Sequence, residues 1–157
     1  MSKDTYFLPP DRSSSEELHK QFEEITSNNT INDLLKPDAL IAILNKNRQI
    51  VCVNNYLREY TKDKKIDFKP GVRLGELFYC THSTESSGGC GTSLSCMGCP
   101  AAQSMSRCFS GEGEQRGVCI FDSKDPKIYD SIIIFTFDEI EVNGSIYYII
   151  KFDVKKD

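Results

Sequence analysis

Cys80, Cys90, Cys96 and Cys99 fall in one short stretch with the spacing C-x9-C-x5-C-x2-C. Four thiolates around a cation satisfy both charge and softness, because sulfur donors suit zinc and iron–sulfur clusters and the metal stabilises deprotonated sulfur at neutral pH. The close pair, Cys96 and Cys99, can place two sulfurs on one centre, and the glycines between Gly88 and Gly98 permit the tight backbone of a metal loop. Pro100 follows Cys99 and suits the first turn of a helix that continues through Ala101, Ala102, Met105 and Phe109. A helix N-terminus aimed at the centre favours its negative charge by about 0.3–1 kcal/mol.

Structural zinc sites commonly show two closely spaced cysteine pairs, whereas this stretch has one close pair and two outlying cysteines. Cys99-Pro100 also matches the cysteine-proline ending of some ferredoxin runs. An iron–sulfur cluster is therefore the preferred cofactor, with zinc as the alternative. His82, two residues after Cys80, has three readings: a ligand replacing a distant cysteine, a hydrogen-bond partner of a bound sulfur, or an ordinary loop histidine. Cys96 and Cys99 at a helix start also have the geometry of a thiol-disulfide redox protein. Such enzymes set the pair after a strand in a βαβ unit, and here a Gly/Ser-rich loop precedes it. Reversible disulfide formation between these cysteines, without metal, is a further redox reading. No P-loop, dinucleotide glycine motif, nucleophile elbow or HExxH word is present, so no enzyme activity is expected. Cys52, Cys108 and Cys119 sit singly among apolar neighbours and read as small core residues. His19 lies within a charged helical stretch and reads as a solvated side chain.

The 157 residues are enough for one domain with its own core. A formal charge of -4 without a basic stripe argues against nucleic acid as a partner. The first residues lack a cleavable apolar segment and no apolar run is long enough to cross a bilayer, so no membrane association and a cytoplasmic location are expected. Seven cysteines in a reducing compartment then point to metal or redox chemistry rather than to a disulfide framework.

Residues 1–12 read as a loose or partly docked arm. Ser13 and Glu16 have capping-box spacing, and Leu18, Phe22 and Ile25 recur at helical intervals, which predicts an amphipathic helix ending near Asn29. Residues 1–30 thus form an arm and helix, and residues 31–157 the main domain with its cysteine-rich insert at 80–99. Ala39–Leu44 and Gln49–Val53 read as a hairpin, and Asn54 and Asn55 cap a short helix whose buried side carries Tyr56, Leu57 and Tyr60. Gly113–Phe121, Ile128–Glu141 and Ser145–Val154 read as three long strands, with Asn143-Gly144 as a type I′ turn. The class is α+β: a five-stranded antiparallel sheet, one face of which is covered by the short helices of the middle segment.

With these elements in place the chain resembles a PAS domain over roughly Ile31 to Asp153. The resemblance is carried by Ala39–Asn45 leading to Gln49–Asn55, and by Tyr147-Tyr148-Ile149-Ile150-Lys151-Phe152-Asp153 as the last strand. A narrower resemblance is to bacterial and archaeal PAS sensors with a cysteine-rich insert, through Pro70-Gly71, Gly75-Glu76, Cys80-Thr81-His82-Ser83, Gly89-Cys90-Gly91-Thr92 and Cys96-Met97-Gly98-Cys99. It implies a signal-sensing role, with redox or oxygen as the expected signal. It also implies a downstream partner such as a histidine kinase, while the apolar stripe of the N-terminal helix, which must rest on the domain or on the same helix of another subunit, leads to a homodimer as the expectation. Haem or flavin occupies the hollow of other PAS domains, and no residue here identifies either. A zinc-stabilised dimerisation module is the alternative function.

Overall fold

Ser14 starts helix α1 (Ser15–Thr26): its side chain accepts from the Glu17 backbone N–H, and Glu17 reaches back to the Ser14 N–H. The capping box lies one residue beyond the expected Ser13 and Glu16 because Ser13 is engaged elsewhere. Its N–H donates to Gln49 Oε1 at 2.7 Å, and its buried hydroxyl accepts from the side-chain amides of Asn45 and Asn47. Ile25 is fully buried and Leu18 packs beside it, so the stripe of α1 rests on the body of the domain, while Phe22 stays 40% exposed. A short helix α2 (Asn29–Leu34), capped by Asn28 on the Ile31 N–H, follows without having been anticipated.

A computed structural model describes residues 4–121, 123–124 and 131–156. The five strands are β1 (Leu40–Leu44), β2 (Ile50–Val53), β3 (Gln115–Phe121), β4 (Ser131–Val142) and β5 (Ser145–Lys156). They form one antiparallel sheet in the order β2-β1-β5-β4-β3. This is the expected PAS-like α+β arrangement; the expected start of β4 at Ile128 lies outside the described residues. Asn143 and Gly144 both have positive φ, 50° and 84°, which builds the two-residue I′ turn between β4 and β5.

Alternation along the strands gives the sheet two apolar faces. On the inner face Ala42, Leu44, Ile133, Phe135, Phe137, Ile150 and Phe152 form the main core. On the outer face Ile41, Ile43, Tyr147 and Ile149 meet Ile25 of α1 and Ile31 of α2.

The inner face is covered by the segment between β2 and β3. Helix α3 (Asn55–Asp63) is capped by Asn54, whose side-chain Oδ1 accepts from Leu57 N–H at 2.9 Å and from Ile41 N–H on β1. Leu57 and Thr61, four residues apart, define its buried face, and this corrects one expectation: Tyr56, more than a quarter of a turn off that line, is 47% exposed. Helix α4 (Leu74–Leu77), a 3-10 turn at Thr81–Thr84, a second at Leu94–Gly98 and helix α5 (Pro100–Phe109) complete the layer.

The N-terminal arm is docked on this layer. Tyr6 N–H donates to Thr92 O at 2.7 Å and Leu8 N–H to Gly91 O at 3.1 Å, while the Leu8 side chain is buried with Cys96 and Ala102. Among the described residues no helix is long and apolar enough to cross a membrane.

Candidate metal centre

Between the inner sheet face and the cysteine-rich layer lies a cavity of 60 Å³ whose lining includes Cys80, Cys90, Cys96 and Cys99 together. Phe135 and Phe137 of β4 with Ile150 and Phe152 of β5 form its apolar floor. The volume admits a few water-sized groups at about 10–15 Å³ each. It is far below the roughly 300–1,000 Å³ of an ordinary small-molecule pocket, so haem or flavin would have to displace this packing.

Different local structures hold each cysteine. Cys80 enters the first 3-10 turn, and its N–H donates to Gly75 O of α4 at 2.8 Å. Cys90 faces the same glycine: a Cβ on Gly75 would stand 2.7 Å from Cys90 Sγ and 3.4 Å from Cys80 Cβ, so only hydrogen fits there. Cys96 lies in the second 3-10 turn with its Sγ 3.3 Å from Ser93 Oγ. Cys99 is the N-cap of α5 and makes no side-chain cap hydrogen bond there.

Burial disfavours the thiolate at Cys90 and Cys99. It pushes the Cys90 pKa up to about 12, against the Gly75 N–H that favours thiolate and with Cys96 and Cys80 adding to the rise. The Cys99 pKa is also raised, chiefly by burial. Among the described residues no three His, Cys, Asp or Glu side chains surround one point closely enough to hold a single metal ion. Sulfurs bound to one zinc at about 2.3 Å sit roughly 3.8 Å from one another. The cysteines instead ring a hollow.

A group of arginines backs Cys90. Arg73, 1% exposed, gives every bond to a backbone carbonyl: Nε to Asn47 O (2.9 Å), Nη1 to Gly88 O (2.8 Å) and Nη2 to Asp11 O (2.8 Å) and Pro10 O (3.3 Å). Arg48, 4% exposed, donates from Nη2 to Cys90 O at 3.1 Å, and its buried Nε has no hydrogen-bond partner. Arg48 also sits at φ 65°, a region that costs a non-glycine residue about 1 kcal/mol or more. Arg12 pairs with Glu76, whose carboxylate also accepts the N–H groups of Arg73 (3.0 Å) and Cys90 (3.2 Å). Burial pushes the Glu76 carboxyl up, but these hydrogen bonds outweigh it and hold the pKa below the usual carboxylate value. Arg73 falls to about 10, through burial first and then the neighbouring Arg48 and Arg12.

All four cysteines singled out by spacing therefore line one cavity. His82 lies at its edge, with Nδ1 2.7 Å from Glu85 Oε1, the kind of carboxylate contact that orients a ligating imidazole. Cys52 and Cys108 are buried in the outer and inner clusters. Cys119 of β3 is a core residue as expected, yet it also lines the cavity, and burial, with Cys99 and Cys80 adding, raises its pKa to about 12. The inward parity of β3, with Gly117 and Cys119 against exposed Val118 and Ile120, is the signal that could have found it. Arg12, Arg48 and Arg73 carried no local motif, because residues 48 and 73 meet only after the sheet and its cover assemble.

Neither a protein-family model nor a curated protein matches the chain. Solved structures similar to it include the PAS domain of an HTR-like protein from Haloarcula marismortui, with 12% identity over 88% of this chain and 98% of that one and a TM-score of 0.48. A PAS domain from a two-component sensor histidine kinase has 11% identity over 90% of this chain and 100% of its own, with a TM-score of 0.47. A sensory box sensor histidine kinase from Vibrio cholerae has 13% identity over 91% and 97%, with a TM-score of 0.42.

Proposed function

We propose that this chain is a signal-sensing PAS-type domain whose cysteine pocket holds an iron–sulfur cluster through Cys80, Cys90, Cys96 and Cys99, and that it reports redox state or oxygen. The observation that carries the reading is the convergence of four thiols, from four separate local structures, on the lining of one cavity. The donor set is all sulfur and soft, which suits an iron–sulfur cluster, with zinc as the alternative. When bound, such a cluster supplies a one-electron couple whose potential follows its hydrogen bonds and surroundings.

The chain's own residues do the rest. The Phe135 and Phe137 floor excludes water, and Gly75 leaves room for the Cys90 sulfur. Output begins with the anchoring of residues 80–99. Gly91 and Thr92, beside Cys90, hold Leu8 and Tyr6 of the arm, and the arm leads directly into α1 on the outer sheet face. Release of the Cys90 and Cys96 sulfurs loosens that strap and so changes how α1 rests on the sheet.

A homodimer and a partner such as a histidine kinase complete the proposal. Val118, Ile120 and Ile134, 55%, 72% and 44% exposed, leave the outer face over β3 and β4 uncovered beside α1 and give a second copy an apolar surface. The cofactor is tested by anaerobic purification with iron, sulfide and zinc analysis. Iron and sulfide in equal amounts support the reading, and stoichiometric zinc without colour returns the protein to the zinc-stabilised module.

A further inference from the structure

Three guanidiniums, those of Arg12, Arg48 and Arg73, gather beside Cys90 around a single carboxylate, Glu76, whose charge acts on all three. Glu76 is the one carboxylate that, among the described residues, forms an ion pair with this group, and its partner is Arg12. The Arg73 and Arg48 side chains donate only to backbone carbonyls, almost fully out of water, and the one negative charge of Glu76 does not balance three cations. A buried cation without a counter-charge is costly, and removal of its partner destabilises a fold strongly. Arg48 adds an unpartnered Nε and a left-handed backbone to that cost, in a turn where asparagine or glycine would be relaxed. Solvating one face of the pocket does not explain it, since the lining on the other side of Cys90 is apolar.

We propose that Arg48 and Arg73 are the built-in counter-charge for an anionic tetrathiolate centre in the cysteine pocket, and set its retention and its potential. The inference rests on the metal-centre reading above. Four thiolates carry more negative charge than the cation or cluster core they bind, and the surplus sits beside the two guanidiniums through Cys90. Arg48 faces Cys90 through its Nη2 bond to Cys90 O at 3.1 Å, and a Cβ on Gly91 would stand 3.1 Å from Arg48 Nε, so the side chain lies flat against the cysteine loop. These are positioning and electrostatic residues. They do not coordinate.

The test compares Arg48→Gln and Arg48→Lys with the wild type, each measured both loaded with iron and sulfide and stripped of metal. The loss of one counter-charge weakens retention against a chelator by roughly 10- to 100-fold and lowers the reduction potential, because the anionic centre becomes harder to charge further. Arg48→Lys retains most of both. In the stripped protein Arg48→Gln melts at the wild-type temperature or above it, since an uncompensated buried charge has been removed. A purely structural arginine would behave in the opposite way, with Arg48→Gln destabilising stripped and loaded protein equally, and that result overturns the inference. So does retention in loaded Arg48→Gln equal to that of the loaded wild type. Should Arg48→Gln not fold, Arg48→Met keeps the apolar stem, and failure of both to fold overturns the proposal by showing that the unloaded fold needs the cation. A wild type that takes up neither iron nor zinc overturns the metal-centre reading itself, together with this inference.

Discussion

Gly75→Ala separates the pocket from the fold. A methyl group at this position would lie 2.7 Å from Cys90 Sγ, 3.2 Å from Cys90 Cβ and 3.4 Å from Cys80 Cβ. The closest obstacle is a single sulfur at the end of a short side chain, so the clash is relieved by turning the Cys90 thiol away from the cavity. Overpacking costs about 1–3 kcal/mol. Gly75 lies inside α4, and alanine there recovers close to 1 kcal/mol of helix propensity. The net cost is then about 0–2 kcal/mol, a fall in Tm of at most roughly 8 °C. Loading should suffer much more, by at least about 10-fold in retention against a chelator, because one of four sulfurs no longer faces the cavity. The assay is iron and sulfide content per chain after anaerobic reconstitution, with a thermal melt of the stripped protein alongside. Full stoichiometry in Gly75→Ala refutes the assignment of Cys90 to the centre.

Other perturbations probe other links. Single serine substitutions at Cys80, Cys90, Cys96 and Cys99 should each abolish or sharply reduce loading, while Cys52→Ser, on the outer face, should load as the wild type does; equal behaviour of all five would dissolve the pocket's special status. Leu8→Glu puts a charge where Leu8 packs on Cys96 and Ala102, so limited proteolysis should cut within residues 4–12 faster while the sheet stays intact by circular dichroism. Tyr147 donates to Glu24 at 3.4 Å and its pKa is raised from 10.0 to about 12, by burial first and then by Glu24. Because the folded pKa is the higher one, this stability is full below pH 10 and is lost as pH rises toward about 12. Tyr147→Phe should therefore flatten the alkaline limb of urea midpoints relative to the wild type, and an unchanged slope would contradict the shift. Ile120→Glu, at a side chain 72% exposed on β3, should shift a wild-type dimer toward monomer by light scattering; a monomeric wild type would sink the dimer surface.

Periodicity made the sheet and its cover readable. Runs of β-forming residues marked the strands, Asn143-Gly144 marked the last hairpin, and Asn54 marked the start of α3. Boundaries slipped where tertiary contacts competed with local ones. Ser13 is as good a cap as Ser14, but its hydroxyl and N–H are taken by Asn45, Asn47 and Gln49, some thirty residues away in sequence. The four-residue α4 and the six-residue α2 are too short to show a helical period.

Cysteine spacing located the pocket, because ligand-bearing loops keep their residues close in sequence. The charge behind the pocket was hidden. Arg48 belongs to a hairpin turn, Arg73 to the entry of α4 and Arg12 to the arm, and only the folded chain brings them to Cys90 and Glu76. Cys119 was concealed for a related reason, since a core position on β3 and a place on the cavity wall look identical in a strand pattern.

The central claim is that the sulfurs of Cys80, Cys90, Cys96 and Cys99 grip one inorganic cluster, and the most direct measurement is the iron, sulfide, zinc and visible absorption of protein purified without oxygen. The account predicts iron and sulfide in equal amounts, with a broad visible band that bleaches in air. A folded, colourless protein carrying neither iron nor sulfide would contradict it.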